Sequence, residues 1–240
     1  MQQLITFFTD NLWFFVLAAA LFALTYLWLL FLSRARANAE EELIRLYRED
    51  LDTYIERLRN NRRLGLVFRK STLLLYLLDG YMAQGDEENA RKAVERLDDL
   101  RLSPQERVDF YQKRLSYFAQ VQNAEEANKS YTLLESYLVH LKAASSEKYA
   151  QMLSEASNIL RIYIDRDVKL IGPLMQKAAG MKNPVLRGVT QYRIAKLAYF
   201  KKDMEMVDKY LRRAQGNVKG TYYEAIVEAA IADKVVLERK

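Results

Sequence analysis

The amino-acid sequence predicts an all-α protein with a single N-terminal transmembrane helix. Glycine and proline, the two residues that most disfavour helices, number only 8 and 3 among 240 residues. Apolar residues recur at steps of three and four, and no segment shows the sustained alternation typical of a strand. A long uncharged segment near the N-terminus supplies the membrane helix. These observations together favour a membrane anchor followed by a helical domain.

Residues 11–33, which follow a short N-terminal segment of residues 1–10, read NLWFFVLAAALFALTYLWLLFLS and contain no charge. A helix needs about 20 apolar residues to cross a bilayer core. Trp13 lies near one end and Tyr26 and Trp28 towards the other, where aromatic side chains suit the membrane interfaces. A cleaved signal peptide is the alternative. We predict an uncleaved anchor, because the basic n-region is missing and the apolar run is longer than a usual h-region.

The flanking charges predict how this helix is oriented. Arg34 and Arg36 follow the span, and no lysine or arginine precedes it. By the positive-inside rule, the C-terminal domain is expected in the cytoplasm and the N-terminus outside.

Residues 34–62 are predicted to form a juxtamembrane amphipathic helix. Leu43, Tyr47, Leu51 and Leu58 draw one apolar stripe on a helical surface. This helix could continue from the span as a stalk, pair in a coiled coil, or serve as the first helix of the domain. An upright stalk and a helix lying on the bilayer both fit the pattern.

Residues 63–240 are expected to form one helical domain of eight to ten helices. Helix starts are marked by Asp86 after Gly85, by Ser103 before Pro104, and by Asn183 before Pro184. No linker rich in proline, glycine or serine divides this region.

A spacing pattern recurs within the domain. Tyr81, Gly85 and Ala90 are matched 37 residues later by Phe118, Gln122 and Ala127, and 117 residues later by Ala198, Lys202 and Val207. A helical hairpin needs a small residue where its two helices touch and a break between them. Such a hairpin cannot bury its faces alone, so neighbouring hairpins stack on it.

The Tyr81–Gly85–Ala90 spacing resembles the tetratricopeptide repeat, a pair of antiparallel helices. Ala195 supplies the family's small residue in the third copy, whereas Leu78 departs from it in the first, and the second and third copies lack the glycine. The resemblance implies an irregular α-solenoid that recognises peptides or proteins on a concave face. A plain helical bundle is the alternative architecture.

The residue inventory gives no catalytic, cofactor or metal site. The chain has no cysteine and one histidine, His140, so neither thiol catalysis nor a shared His/Cys metal site is expected. Nucleotide-binding and nucleophile-elbow motifs are also missing. We therefore expect a protein that is not an enzyme.

Two surface features are candidates for binding. Adjacent Tyr222 and Tyr223 cannot both face inward on one helix, so one is expected at an interface. A basic patch, uninterrupted by acidic residues, could contact anionic lipid or an acidic partner, and a solvated corner is the alternative. On an upright stalk the patch would lie several Debye lengths from the bilayer. Without glycine-rich or aromatic-interleaved basic motifs, no nucleic acid partner is expected. The patch comprises Arg57, Arg59, Arg62, Arg63, Arg69 and Lys70.

These features predict a membrane-anchored scaffold or adaptor that binds protein partners through a cytoplasmic helical domain. The alternative is a structural subunit of an integral membrane complex. In that case, Ala18, Ala19, Ala20 and Ala23 would offer a small-residue face to other transmembrane helices.

Overall fold

The structure is a computed structural model that describes residues 12–141, 146–221 and 223–239. Side chains are described for these residues except Leu12, Phe15 and Arg239. Within these ranges every regular element is helical and no strand occurs, so the all-α prediction is confirmed.

The first helix, α1, spans Leu12–Glu49 and contains the apolar segment. Among the described residues it is the one helix long and apolar enough to cross a membrane, and its apolar portion is not covered by the rest of the chain. A signal sequence near an N-terminus meets the same criterion of length and apolarity. The predicted residues 1–10 and Asn11 lie outside the described residues.

The juxtamembrane segment forms two helices where the sequence pattern predicted one. Helix α1 ends at Glu49, and Asp50 caps α2, Leu51–Asn60, by accepting a hydrogen bond of 3.0 Å from the Thr53 amide. This cap competes with continuation of α1, because it satisfies an amide that would otherwise lack a partner at the start of α2. The chain turns there and α2 runs back along α1.

Contacts between α1 and α2 show that the two helices are antiparallel. The rings of Tyr47 and Tyr54 meet edge to face at 5.1 Å, and Arg57 pairs with Glu42 at 2.9 Å. Leu43 of α1 is buried in the same core. The C-terminal part of α1, which contains Leu43 and Tyr47, therefore packs as one of the helices of the domain.

The remaining helices form three hairpins, α4–α5, α6–α7 and α10–α11, and a C-terminal cap, while α8 lies between the second and third hairpins and α9 packs against α10. Helix α3 is a single turn before the first hairpin, and a 3₁₀ helix, Val168–Leu170, precedes α9. Nine helices of ten or more residues lie in the described part of residues 63–240, a number within the predicted eight to ten. The bounds are α3 Leu64–Val67, α4 Lys70–Gln84, α5 Glu87–Asp98, α6 Pro104–Gln120, α7 Ala124–His140, α8 Glu147–Tyr163, α9 Ile171–Gly180, α10 Pro184–Phe200, α11 Met204–Val218, α12 Tyr223–Ala232 and α13 Val236–Arg239.

The first helices of the hairpins stack in order along the chain, with α8 between the second and the third. Helix α4 contacts α6, α6 contacts α8, and α8 contacts α10. The buried core residues form three clusters along the chain. The first lies mainly between α1 and α5 and the second between α6 and α8, and Tyr111 and Phe118 of α6 pack against both. The residues that line one side of the domain therefore come mainly from α4, α6, α8 and α10.

The three predicted hairpin turns share one backbone geometry. Gly85, Gln122 and Lys202 all adopt left-handed φ angles, of 77°, 58° and 64°. The next residue in each turn donates its amide to the carbonyl five residues earlier, over 2.9 to 3.0 Å, and its side chain caps the following helix. This is the Schellman pattern of helix termination, which closes the first helix and starts the second within one turn. The capping residues are Asp86, Asn123 and Asp203.

A further turn with a left-handed residue, which the sequence analysis missed, joins α8 to the 3₁₀ helix before α9, and there the Asp167 amide donates to the Arg161 carbonyl, six residues earlier, at 2.8 Å. Arg166 has a left-handed φ of 55°, and Asp167 accepts a hydrogen bond from the Lys169 amide. These two residues lie 81 positions after Gly85 and Asp86. Ile171 stands at the position that corresponds to Ala90, and Met175 follows one helical turn later. Because the small residue is missing there, the sequence does not show this turn as a further copy of the repeat.

The predicted repeat positions are mostly buried. The small residues at the helix–helix contacts are at most 1% exposed, as the spacing argument requires. Tyr81 is 8% exposed, and Phe118 is partly buried. The four small or apolar positions are Ala90, Ala127, Ala195 and Val207.

Candidate functional site

An open groove of about 730 Å³ runs along the stacked hairpins. Helices α4, α6, α8, α10 and α12 all contribute to its wall. Six tyrosines line it, and their rings are buried or half-buried against the core. Tyrosine offers a large amphipathic contact area at a small cost in side-chain entropy, which suits recognition of another chain. The six are Tyr47, Tyr81, Tyr117, Tyr163, Tyr192 and Tyr223.

An ion-pair cluster closes one part of the groove wall. Lys113 of α6 contacts Asp79 of α4 at 2.7 Å and Asp109 at 3.3 Å. Burial raises the pKa of the Asp79 carboxyl, and the facing ammonium opposes this rise. For Lys113, burial lowers the pKa, but the two carboxylates outweigh burial and raise the pKa above its ordinary value. This cluster ties α4 to α6.

Arg193 of α10 is a cation of the groove wall with no acidic partner among the described residues. Its Nε is buried and has no hydrogen-bond acceptor within those residues. A buried donor without an acceptor costs about 1–3 kcal/mol, so a carboxylate or carbonyl arriving in the groove would recover this energy. Burial and the Arg193 charge together lower the pKa of the neighbouring Lys177, which pairs with Glu155.

The structure divides the predicted basic patch into paired and unpaired residues. Arg57 pairs with Glu42, and Arg69 pairs with Glu106 at 2.9 Å. The other four members are exposed and form no ion pair within the described part of the chain. They are Arg59, Arg62, Arg63 and Lys70.

Glu106 holds the end of α4 that carries Arg69 and Lys70. It completes the capping box of Ser103 at the start of α6 and accepts hydrogen bonds from Ser71 and Thr72 of α4. Burial raises the pKa of Glu106, but the hydrogen bonds outweigh it and lower that pKa to about 2. The starts of α4 and α6 are thereby fixed side by side.

The structure describes one of the two tyrosines predicted to lie at an interface. Tyr222 lies outside the described residues, whereas Tyr223 is partly buried against the last core cluster and lines the groove. His140 is exposed at the end of α7. The described residues contain no group of three His, Cys, Asp or Glu side chains that could hold a metal ion.

Sequence reasoning identified Tyr81 and Tyr223 but missed the groove as a whole. The six tyrosines follow one another at separations of 34, 36, 46, 29 and 31 residues, and this irregular spacing gives no repeat signal. Arg193 carried no signal either, since its lack of a partner depends on which side chains α8, α9 and α12 bring near it.

The fold and the groove define a class of protein: an all-helical chain of stacked hairpins joined to one candidate membrane span. Comparison with known proteins gives no more particular identity, because no family model, curated protein or solved structure matches the chain.

Proposed function

We propose that this protein is a membrane-anchored scaffold or adaptor, and that its hairpins form an irregular tetratricopeptide-like solenoid that binds protein partners in the groove. The shared geometry of the hairpin turns and the stacking of successive first helices support the solenoid. The observation that carries the binding proposal is a groove lined by tyrosines that also presents the unpartnered Arg193.

The path of α1 supports an uncleaved anchor. The helix is continuous from Leu12 to Glu49, so a signal-peptide cleavage shortly after the apolar segment would fall within it. At that point the Arg36 guanidinium lies 5.6 Å from the Phe68 ring of the domain. The anchor and the domain thus meet directly, and loss of the anchor would remove a contact of the folded domain.

The folded loop after α2 supports a cytoplasmic domain. It brings Arg62 and Arg63 towards the end of the span that already carries Arg34 and Arg36. Positive charge concentrated at one end of a span favours the cytoplasmic side for that end.

The groove's chemistry defines the partner we propose. Tyrosine rings provide apolar contact, and Arg193 provides a donor for a carboxylate. A peptide segment that combines apolar side chains with an acidic residue fits this surface best. Anchoring would confine such a partner to the membrane surface and raise its effective concentration there.

Site-specific photocrosslinking in the native cells tests this proposal. A photoreactive residue at Gln112, in the groove wall of α6, should form adducts with a discrete protein partner. The matched control is Glu135, which is exposed on α7 of the same hairpin. Substituting Arg193 with Gln should reduce the Gln112 adducts while leaving the protein folded.

Two results would contradict this proposal. Equal adducts from Gln112 and Glu135 would mean that the groove is not the binding face. Adducts formed instead between Ala19 in α1 and the span of another protein, in fixed stoichiometry, would favour the structural-subunit alternative.

A further inference from the structure

We propose that residues 61–70, here called the return loop, bind anionic phospholipid headgroups of the same bilayer that α1 crosses. This inference rests on the anchoring part of the proposed function and is independent of the groove.

The antiparallel course of α2 brings the return loop back towards the membrane. The pairs Glu42–Arg57 and Tyr47–Tyr54 set the register of α2 on α1, and Arg36 then lies over Phe68. Arg36 follows the last uncharged residue, Ser33, by three positions, which is about 4.5 Å along a helix. Phe68 of the return loop therefore lies on the order of one Debye length, about 8 Å, from the end of the span.

This geometry removes the objection raised by an upright stalk. The distance from the membrane to Arg62 and Arg63 was expected to grow with every residue after Arg34. Because the chain turns at Asp50, α2 instead runs back towards the membrane. An upright α1 is therefore compatible with a basic patch close to the membrane.

The exposed side chains of the return loop match a membrane interface. Arg62, Arg63 and Lys70 are exposed, and Leu66 between them is 77% exposed. Buried Leu64 and Phe68 fix the loop to the domain. Basic side chains around an exposed leucine suit binding to anionic headgroups with shallow insertion of the apolar residue.

At the start of α4, Arg69 is paired with Glu106, but the charge of Lys70 has no acidic partner in the described residues. Arg69 occupies its N-cap position and Lys70 its first turn, which contains no acidic residue. Positive charge at a helix N-terminus opposes the helix dipole. By contrast, α5 and α7 begin with acidic first turns, Glu87–Glu88 and Glu125–Glu126, and α6 and α8 each have one acidic residue there, so among these helices α4 alone lacks one. An anionic surface beside the return loop would stabilise this arrangement at the start of α4.

Lipid-borne quenching tests the proposal on the full-length chain. Because the chain has no cysteine, Leu66→Cys can carry a single fluorophore after reconstitution into phosphatidylcholine vesicles, with or without phosphatidylglycerol. We expect a quencher attached to the lipid to quench this label in both kinds of vesicle, and several-fold more strongly when phosphatidylglycerol is present. A label at Glu125→Cys, exposed at the far end of the hairpins, should stay unquenched in both.

Charge substitutions separate headgroup binding from mere proximity. Each basic residue near an anionic surface adds about fivefold to binding, so Arg62→Gln with Arg63→Gln should lower the ratio of bound to free loop about 30-fold. The charge-matched control, Lys209→Gln with Arg212→Gln on exposed positions of α11, should leave quenching unchanged. Hydrogen exchange across residues 61–70 in the unlabelled chain should slow with phosphatidylglycerol and confirm that the label does not drive insertion.

Several outcomes would overturn the inference. Equal quenching in neutral and anionic vesicles would mean that the loop lies near the bilayer without binding headgroups. Equal quenching at positions 66 and 125 would reject the geometry, and an unchanged double arginine variant would reject the charge argument. Groove crosslinking would be unaffected by any of these, so the two proposals fail separately.

Discussion

Gly188→Ala is expected to destabilise the domain by about 1–2 kcal/mol, although alanine is the better helix former. Gly188 lies in α10 where α11 approaches most closely. An added Cβ would lie 2.5 Å from Val218 Cγ1, 3.0 Å from Asn217 Cβ and 3.2 Å from the Ala214 carbonyl oxygen. The replacement gains up to about 1 kcal/mol in helix propensity. Overpacking a tight contact costs about 1–3 kcal/mol, and a fully buried Val218 with a backbone oxygen beside it has little freedom to move.

Gly216→Ala in α11 is the matched control for this prediction. No atom lies within 4 Å of the Cβ that it would add. Only the propensity gain applies, so this variant should be more stable by up to about 1 kcal/mol. Denaturant unfolding of the purified protein in detergent, followed by far-UV circular dichroism, measures both. Shifts of the same sign for the two variants would contradict the close-contact argument.

The Gly188 contact also bears on the groove. Tyr192 and Arg193 follow Gly188 within one and a half turns of α10, so the position of this helix against α11 sets where both side chains lie. A clash at Gly188 should therefore reduce groove crosslinking from Gln112 along with stability. The Gly216 variant should retain that crosslinking.

The hairpin boundaries could be predicted because helix caps are local. Asp86, Ser103 and Asn183 each bond to an amide within the next three residues, and the sequence around them contains all that the interaction requires. The same logic applied to Asp50 and Thr53 would have located the turn between α1 and α2. The apolar stripe running through Leu51 masked that cap, since it continues the helical period on both sides.

The site could be predicted only in part, because it depends on contacts between distant segments. The basic patch was visible as a run of charge, but its position near the membrane depends on the register of α2 against α1. No sequence pattern indicated that Glu106 would neutralise Arg69, 37 residues earlier, while the adjacent Lys70 stayed without an ion pair. The groove tyrosines likewise become neighbours only after their helices have packed together in the folded domain.

Lys196 gives the second large expected effect, a rise in stability at alkaline pH. Its side chain is 0% exposed, and its Nζ donates to the Leu237 carbonyl at 2.6 Å, which holds α13 against α10. The ammonium also lies 5.2 Å from the Tyr163 ring. Burial, with the nearby Arg166 charge, lowers the pKa of Lys196 to about 8, against an opposing influence from Glu238.

The sign of the pH dependence follows from this lowered pKa. Below pH 8 the amine is protonated in both the folded and unfolded chains, and folding bears the full cost of burying the charge. Between pH 8 and the ordinary value of 10.5 the folded chain binds fewer protons than the unfolded chain, so stability rises with pH. From about pH 7.5 to about pH 9.5 the gain should be about 2 kcal/mol.

Lys196→Met should abolish this rise, because it removes the titrating group while keeping an unbranched side chain in the core. Lys209→Met, at an exposed position of α11, should keep the wild-type dependence. The measurement must stop below pH 10, since burial raises the pKa of Tyr192 and stability from that phenol is lost once the unfolded chain ionises. The test is to measure the unfolding free energies of the three proteins at both pH values. If the unfolding free energy rises equally with pH in the wild type and in Lys196→Met, this amine is not the group whose burial is coupled to folding.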